Sequence, residues 1–301
     1  MATLPAAFIR FKPESYEISK GMAKRHALFA ANDRLTISVG SGKMKYYVVD
    51  AFAESVFQGN QAGVCLVDQP IDEQTMQNIA AENNLAETAF VVRNGDAFDL
   101  RWFTPEVEID LCGHATLASA FIISNYVDST IEAMRFNTLS GMLTVVKNGS
   151  LYEMDFPSRK PEEIPVTPLM EQALGAPVLE AHISKDMLLL LEREEAVRSL
   201  RPDFALAAQI PGCFAVIASA RGEEADFVSR FFAPNAGISE DPVTGRSHST
   251  LIPFWSERLK KKKMVARQLS KRGGTLYCED WGERVKISGR AALYLTGEIH
   301  I

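Results

Sequence analysis

The segment RFFAPNAGISEDPVTGRSHSTL, residues 230–251, repeats in outline one the chain has already used, RWFTPEVEIDLCGHATL at residues 101–117. In each, an arginine is followed at fixed offsets by phenylalanine, proline and isoleucine, and each ends in a His-x-Thr-Leu run, His114 to Leu117 and His248 to Leu251. The second copy carries five more residues before its histidine, and EDPVTG, residues 240–245, lies within that stretch. Around both copies short β-type runs precede a glycine-containing turn, and an apolar helix follows. The duplication predicts two similar α/β units facing each other.

Strand-like runs fall at Tyr46–Val49, Gly63–Val67, Thr88–Val92 and Phe98–Phe103. A helix is expected over Asp72–Asn83, with Met76, Ile79 and Ala80 on one face. TLASAFIISNY, residues 116–126, is apolar at nearly every step and suits a helix buried inside a sheet. Proline and charge gather in FPSRKPEEIPVTP, residues 156–168, the expected linker between the halves. Leu251–Leu259 reads as the second central helix, and strand-like pieces at Gly274–Cys278, Arg284–Ile287 and Ala291–Leu295 finish the chain.

Residues 1–43 differ in character, with weak periodicity, and read as an N-terminal extension or leader ahead of Met44. Ser41-Gly42-Lys43 is not the end of a phosphate loop, because Ile37 and Met44 stand where that signature needs glycine and a hydroxyl residue. The 301 residues are 47% hydrophobic and 23% charged, as in a soluble globular protein. With a formal charge of −6 there is no general attraction for nucleic acid or an acidic membrane. No apolar run approaches the length of a membrane span, and no secretory signal is visible. The run Lys260 to Lys263 reads as a solvated helix end. Cys65, Cys112, Cys213 and Cys278 show neither CxxC pairing nor clustering with histidine, so neither a zinc site nor a disulfide scaffold is expected, and a reducing, cytoplasmic setting fits.

Chemistry is expected where glycine opens an apolar helix. There the backbone N–H groups can approach a bound anion, and the helix start adds partial positive charge. Gly113 and Gly245 hold those places, so two helix starts could grip one small carboxylate. Glu87, His114 and Asp241 are the ionisable candidates near these turns. Asn60, in FQGNQAG, either orients a ligand or holds a turn, and His248, inside the second helix, reads as structural. Cys112, at a helix start, is either a base of lowered pKa or a small buried side chain. A two-base racemase would need a second thiol, which the second turn lacks.

DAFAESVFQGNQAGV (50–64), NNLAETAFVV (83–92), RWFTPEVEIDLCGHATLASA (101–120), SRFFAPNAGISEDPVTG (229–245) and QLSKRGG (268–274) together resemble the phenazine biosynthesis PhzF-like isomerase family, which shares its fold with diaminopimelate epimerase. The resemblance implies an α/β (α+β) fold of two pseudo-symmetric domains, each a barrel-like curved sheet around a central helix, with the site between them. It implies a first domain over 44–158, completed by C-terminal strands at about 288–301, and a second over 159–287. It also implies a homodimer that needs no metal or organic cofactor. By resemblance Glu87 is the acidic base, His114 and Asp241 orient the substrate, and the backbone amides of Gly113 and Gly245 hold its oxygens. The activity for which the family is named isomerises trans-2,3-dihydro-3-hydroxyanthranilate, with one carboxylate moving a proton between two ring carbons. Where family members commonly carry Ser-Ala-His after Thr-Gly, this chain has Arg246-Ser247-His248. Arg246 facing the cleft would add donors for a carboxylate or phosphate and change the substrate. Racemisation or epimerisation of a small amino or hydroxy acid, and non-catalytic metabolite binding, are the alternatives.

Overall fold

The computed structural model describes residues 43–301 apart from Cys213, and Lys43–Ile301 form one compact unit. The expected leader lies outside the described residues except for Lys43, which opens the first strand rather than closing a leader, and Cys213 also lies outside them. The first half runs β1 (Lys43–Ala51), β2 (Asn60–Val67), α1 (Glu73–Asn83), β3 (Glu87–Asn94), β4 (Ala97–Phe103), β5 (Glu108–Ile109), α2 (Gly113–Ile122), β6 (Ala133–Thr138), β7 (Gly141–Asn148) and β8 (Leu151–Pro157). The second runs β9 (Glu162–Ile164), α3 (Pro168–Leu174), β10 (Glu180–Ile183), β11 (Met187–Leu190), α4 (Glu194–Arg198), α5 (Phe204–Ala207), β12 (Val216–Arg221) and β13 (Phe227–Phe232). It continues through α6 (Gly245–Leu259), β14 (Lys263–Gln268), β15 (Gly274–Asp280), β16 (Arg284–Gly289) and β17 (Ala291–His300).

The pairing pattern is the same twice. From β1 through β2, β3, β4, β6 and β7 to β8 the pairs are antiparallel, parallel, antiparallel, parallel, antiparallel and antiparallel. From β10 through β11, β12, β13, β14 and β15 to β16 the sequence of signs is identical. Each half is completed by one more antiparallel strand, β9 beside β10 and β17 beside β1. The C-terminal strand thus returns to the first half, while β8 and β16 pair antiparallel and join the two. The proline-rich stretch expected to be a linker contains β9. The two arginines of the duplicated segments hold matching places: Arg101 clamps Glu108 and Arg230 clamps Glu240 through two nitrogens each. Their guanidinium carbons lie 5.2 Å from the Phe103 ring centre and 5.1 Å from that of Phe232.

Alternation along the strands divides the core. Leu188, Leu190 and Ile217 point to a cluster that also takes in Leu117 and Ile122 of α2 and Leu251, Ile252 and Trp255 of α6. Met187, Leu189, Val216 and Ala218 face the other way, against α3, α4 and α5. α2 is buried on nearly every side, which is why its sequence carries no polar stripe. The two central helices start earlier than the apolar runs suggest, because Cys112 and Thr244 hold extended backbone at the N-cap positions and Gly113 and Gly245 become the first helical residues. α2 also ends in a π-turn, Ile123–Val127.

Candidate active site

Glu87 is the first residue of β3. The parallel register of β2 and β3 sets it beside Ala62, two residues from Asn60 at the start of β2. Asn60 is delivered by the tight turn at Gly59, whose φ is +67° and whose N–H donates to the Gly273 carbonyl at 2.6 Å. Arg272 reinforces this turn, donating to the carbonyls of Gly59 and Gln58 and to the buried Asp50 carboxylate. The RGG of QLSKRGG thereby grips FQGNQAG across more than two hundred residues of chain.

The structure brings Asn60, Glu87, His114 and Asp241 together. The Asn60 Nδ2 group, with two hydrogens, donates to Asp241 Oδ1 at 2.7 Å and to the Val243 carbonyl at 3.0 Å. It also lies 3.3 Å from His114 Nδ1. His114 Nε2 is 2.9 Å from Glu87 Oε2. The pair forms a buried imidazole–carboxylate contact whose geometry falls short of an aligned hydrogen bond. The Thr244 hydroxyl donates to Asp241 Oδ2. Gln268 fixes the same turn, donating to the Asp241 carbonyl at 2.6 Å and accepting from the Thr244 N–H at 2.9 Å.

Burial opposes charge on His114, but the neighbouring Cys112 and Glu87 outweigh it and raise the imidazole well above its ordinary value. Burial pushes Asp241 up to about 6, against the lowering pull of His114 and the Thr244 hydroxyl. Burial likewise raises the Cys112 thiol, with His114 acting in the opposite sense. Burial of Cys112 favours the reading as a small buried side chain over that as a base of lowered pKa. Burial takes His248 down to about 4. Its Nδ1–H donates to the Thr244 carbonyl at 2.8 Å, so the neutral ring caps the first turn of α6. Asp241 does not cap that helix with its side chain; it faces Asn60 and Thr244 instead.

Because the Asp241 pKa is higher in the folded chain than the ordinary carboxylate value of 3.8, its contribution to stability is complete below that value and is lost as pH rises through about 6. Asp241→Asn removes the loss. Calorimetric melting is expected to show the variant above the parent near pH 7.5, with the gain gone near pH 4. An equal gain at both pH values would contradict the assignment.

Absence of histidine and cysteine clustering does not survive folding. Glu87, Cys112 and His114 present a carboxylate oxygen, a sulfur and a ring nitrogen within 4.8 Å of one another. Cys112 and His114 lie two residues apart in the chain, but Glu87 is far upstream and the spacing matches no zinc signature. Sequence reading also passed over Arg272, Gln268 and Thr244; the first two lie within the QLSKRGG motif and Thr244 within EDPVTG.

The duplication makes the chemical asymmetry visible. With Phe103 matched to Phe232, the strand registers pair Thr88 with the first and Val216 with the second, so the counterpart of Glu87 is Ala215. The N-caps match Cys112 with Thr244, Gly113 with Gly245 and His114 with Arg246. Arg246 donates to the fully buried Asp186 at 2.7 Å, and its guanidinium carbon lies 4.1 Å from the Phe214 ring centre. One half carries a carboxylate and an imidazole; the other carries an alanine and a paired arginine.

A family model described as phenazine biosynthesis-like protein (PhzC-PhzF) matches residues 49–297. A protein of Pseudomonas aeruginosa named as an uncharacterized isomerase is 49% identical over 260 residues, covering 86% of this chain and 99% of its own. The crystal structure of a PhzF family phenazine biosynthesis protein from Enterococcus faecalis superposes with a TM-score of 0.85 at 47% identity, over 86% of this chain and all of that one. A hydroxyproline epimerase from Agrobacterium vitis, at 10% identity and a TM-score of 0.56 over 86% of this chain and 93% of that one, shares the fold alone.

Proposed function

Because the chain belongs to the phenazine biosynthesis-like PhzC-PhzF family, we propose that it is a cofactor-independent isomerase in which Glu87 moves a proton between two carbons of a small carboxylated substrate. The observation that carries this reading is the Glu87 carboxylate: enclosed, 2.9 Å from the His114 imidazole, with no second base at the matching place in the other half. A carboxylate so placed can take a proton from carbon and hold it in transit. The carboxylate takes the proton, the electron pair left behind spreads into the substrate, and the same carboxyl group returns the proton at a second carbon. The His114 imidazole, drawn toward its charged form by its neighbours, and the amides at the starts of α2 and α6 oppose the negative charge that develops. Asp241 and Asn60 hold the substrate's polar groups. The substrate is similar to trans-2,3-dihydro-3-hydroxyanthranilate, with Arg246 a reason for it to differ. Replacement of Glu87 by alanine in the second half, and of Cys112 by threonine, weighs against a two-base racemase. We also propose a homodimer working in the cytoplasm, as the family resemblance implies. Incubating the chain with small carboxylates in heavy water, with mass spectrometry of the recovered compounds, tests the reading: deuterium should enter the substrate that is isomerised.

Gly113 and Gly245 support the oxygen-binding role for a steric reason. Neither has a left-handed φ, and a Cβ at Gly113 or Gly245 would come no closer than 3.6 Å to Phe156 or 3.9 Å to Phe52. The fold therefore tolerates a methyl group at both places, and the open approach to the amides serves something else. Gly113→Ala is expected to melt within a few degrees of the parent while affinity for the substrate carboxylate falls roughly 10–100-fold, the worth of a hydrogen bond to a charged group. Unchanged affinity by calorimetric titration would remove the amide from the site.

A further inference from the structure

Arg246 is not an isolated departure from the family pattern, because two more cations surround it. Arg159, between β8 and β9, is tied to α6 by its N–H, which donates to the Ser249 carbonyl at 2.9 Å. Lys185, in the turn between β10 and β11, is exposed beside Asp186 and accepts at its carbonyl from the Phe214 N–H at 3.3 Å. Among the described residues neither Arg159 nor Lys185 has an ion-pair partner. Arg246 spends one nitrogen on Asp186, and its Nε is buried without an acceptor, as is Nη1 of Arg159. A buried guanidinium N–H without a partner is a penalty that an acceptor drawn into the site would relieve. Partial burial, then the charges of Arg246 and Arg159, depress the Lys185 ammonium below its usual range, while Asp186 and Asp110 act against them. Three positive charges thus face two negative ones, and one of these, Asp186, is fully buried beneath Arg246. Phe214 is 42% exposed and lies under the Arg246 guanidinium carbon.

We propose that Arg159, Lys185 and Arg246, gathered round the first turns of α6 beside Phe214, form a second anion subsite, and that the substrate is a small dianion whose second carboxylate or phosphate lies there. This rests on the reading that the helix-start amides hold the first carboxylate. In that arrangement Arg246 stands in the second half where His114 stands in the first: one half moves the proton and the other selects the substrate by charge.

Calorimetric titration of the full chain with matched probes tests it: succinate against butyrate for a second carboxylate, and phosphoglycolate against glycolate for a phosphate. The dianion is expected to bind about tenfold or more tightly than its monoanionic partner in one of the two pairs. Glu87→Gln should keep that preference. The double variant R159Q/K185Q should bring the ratio to about one, with monoanion affinity unchanged. Arg246 itself is left in place, since its removal would strand the buried Asp186 charge. Equal affinities within both pairs, a preference that survives R159Q/K185Q, or no binding by any of the four probes would overturn the subsite. Failure of deuterium incorporation with the dianion preference intact would instead remove Glu87 from its role and leave the subsite standing.

Discussion

Glu87→Gln leaves the fold and ligand affinity near those of the parent and lowers deuterium incorporation by about 10²–10⁴-fold, the usual worth of a positioned general base. Glutamine has almost the same shape, and His114 can shed its proton once the facing carboxylate is gone. A melting temperature within a few degrees of the parent is therefore expected. An amide cannot hold the proton in transit, so the chemical step fails while binding does not. A second readout separates this from a packing defect. Glu87 is one of the two neighbours that raise the His114 imidazole, so the His114 ring signals should titrate at lower pH in the variant by NMR. Incorporation that persists at the parental rate would remove Glu87 from the proposed chemistry.

Gly59→Ala has the largest effect expected on stability, a loss of about 3–5 kcal/mol, from left-handed backbone and overpacking together. Gly59 sits at φ +67°, and a Cβ there would lie 2.1 Å from the Ala51 carbonyl oxygen and 2.9 Å from the Ala53 Cβ. The first obstacle is backbone, so no side-chain rotation relieves it. The turn also hands Asn60 to Asp241 and holds the Gly273 carbonyl, and its displacement should open the site as well as weaken the fold. Denaturant titration measures the loss, and a variant as stable as the parent would show that the turn can relax. Arg272→Lys is a gentler probe of the same turn, since a single ammonium cannot reproduce all three guanidinium contacts.

Much of this was legible beforehand where it depended on local pattern. The repeated Arg-x-Phe-x-Pro spacing marked a real duplication, down to the stacking of Arg101 and Arg230 on the phenylalanines two residues on. The continuous apolar run after Gly113 announced a helix buried on all sides. Other matches misled. His114 and His248 align in the sequence, yet the helix caps align His114 with Arg246, because the phase of a helix is set by where its first turn begins and not by which letters recur. Cys112 could be read as a reactive thiol or a filler until its burial was known.

The sequence by itself determined the family, the doubled α/β architecture and the candidates Glu87, His114 and Asp241, since periodicity, turn residues and motif spacing are properties of short stretches. Tertiary structure alone decided which of those groups meet. Asn60 touches Asp241 across 181 residues, β17 closes the first half from the far end of the chain, and Arg246 finds Asp186 across 60. Such contacts depend on strand register and on where each helix starts, both settled by the burial of the whole apolar surface at once. No local stretch of letters carries that sum.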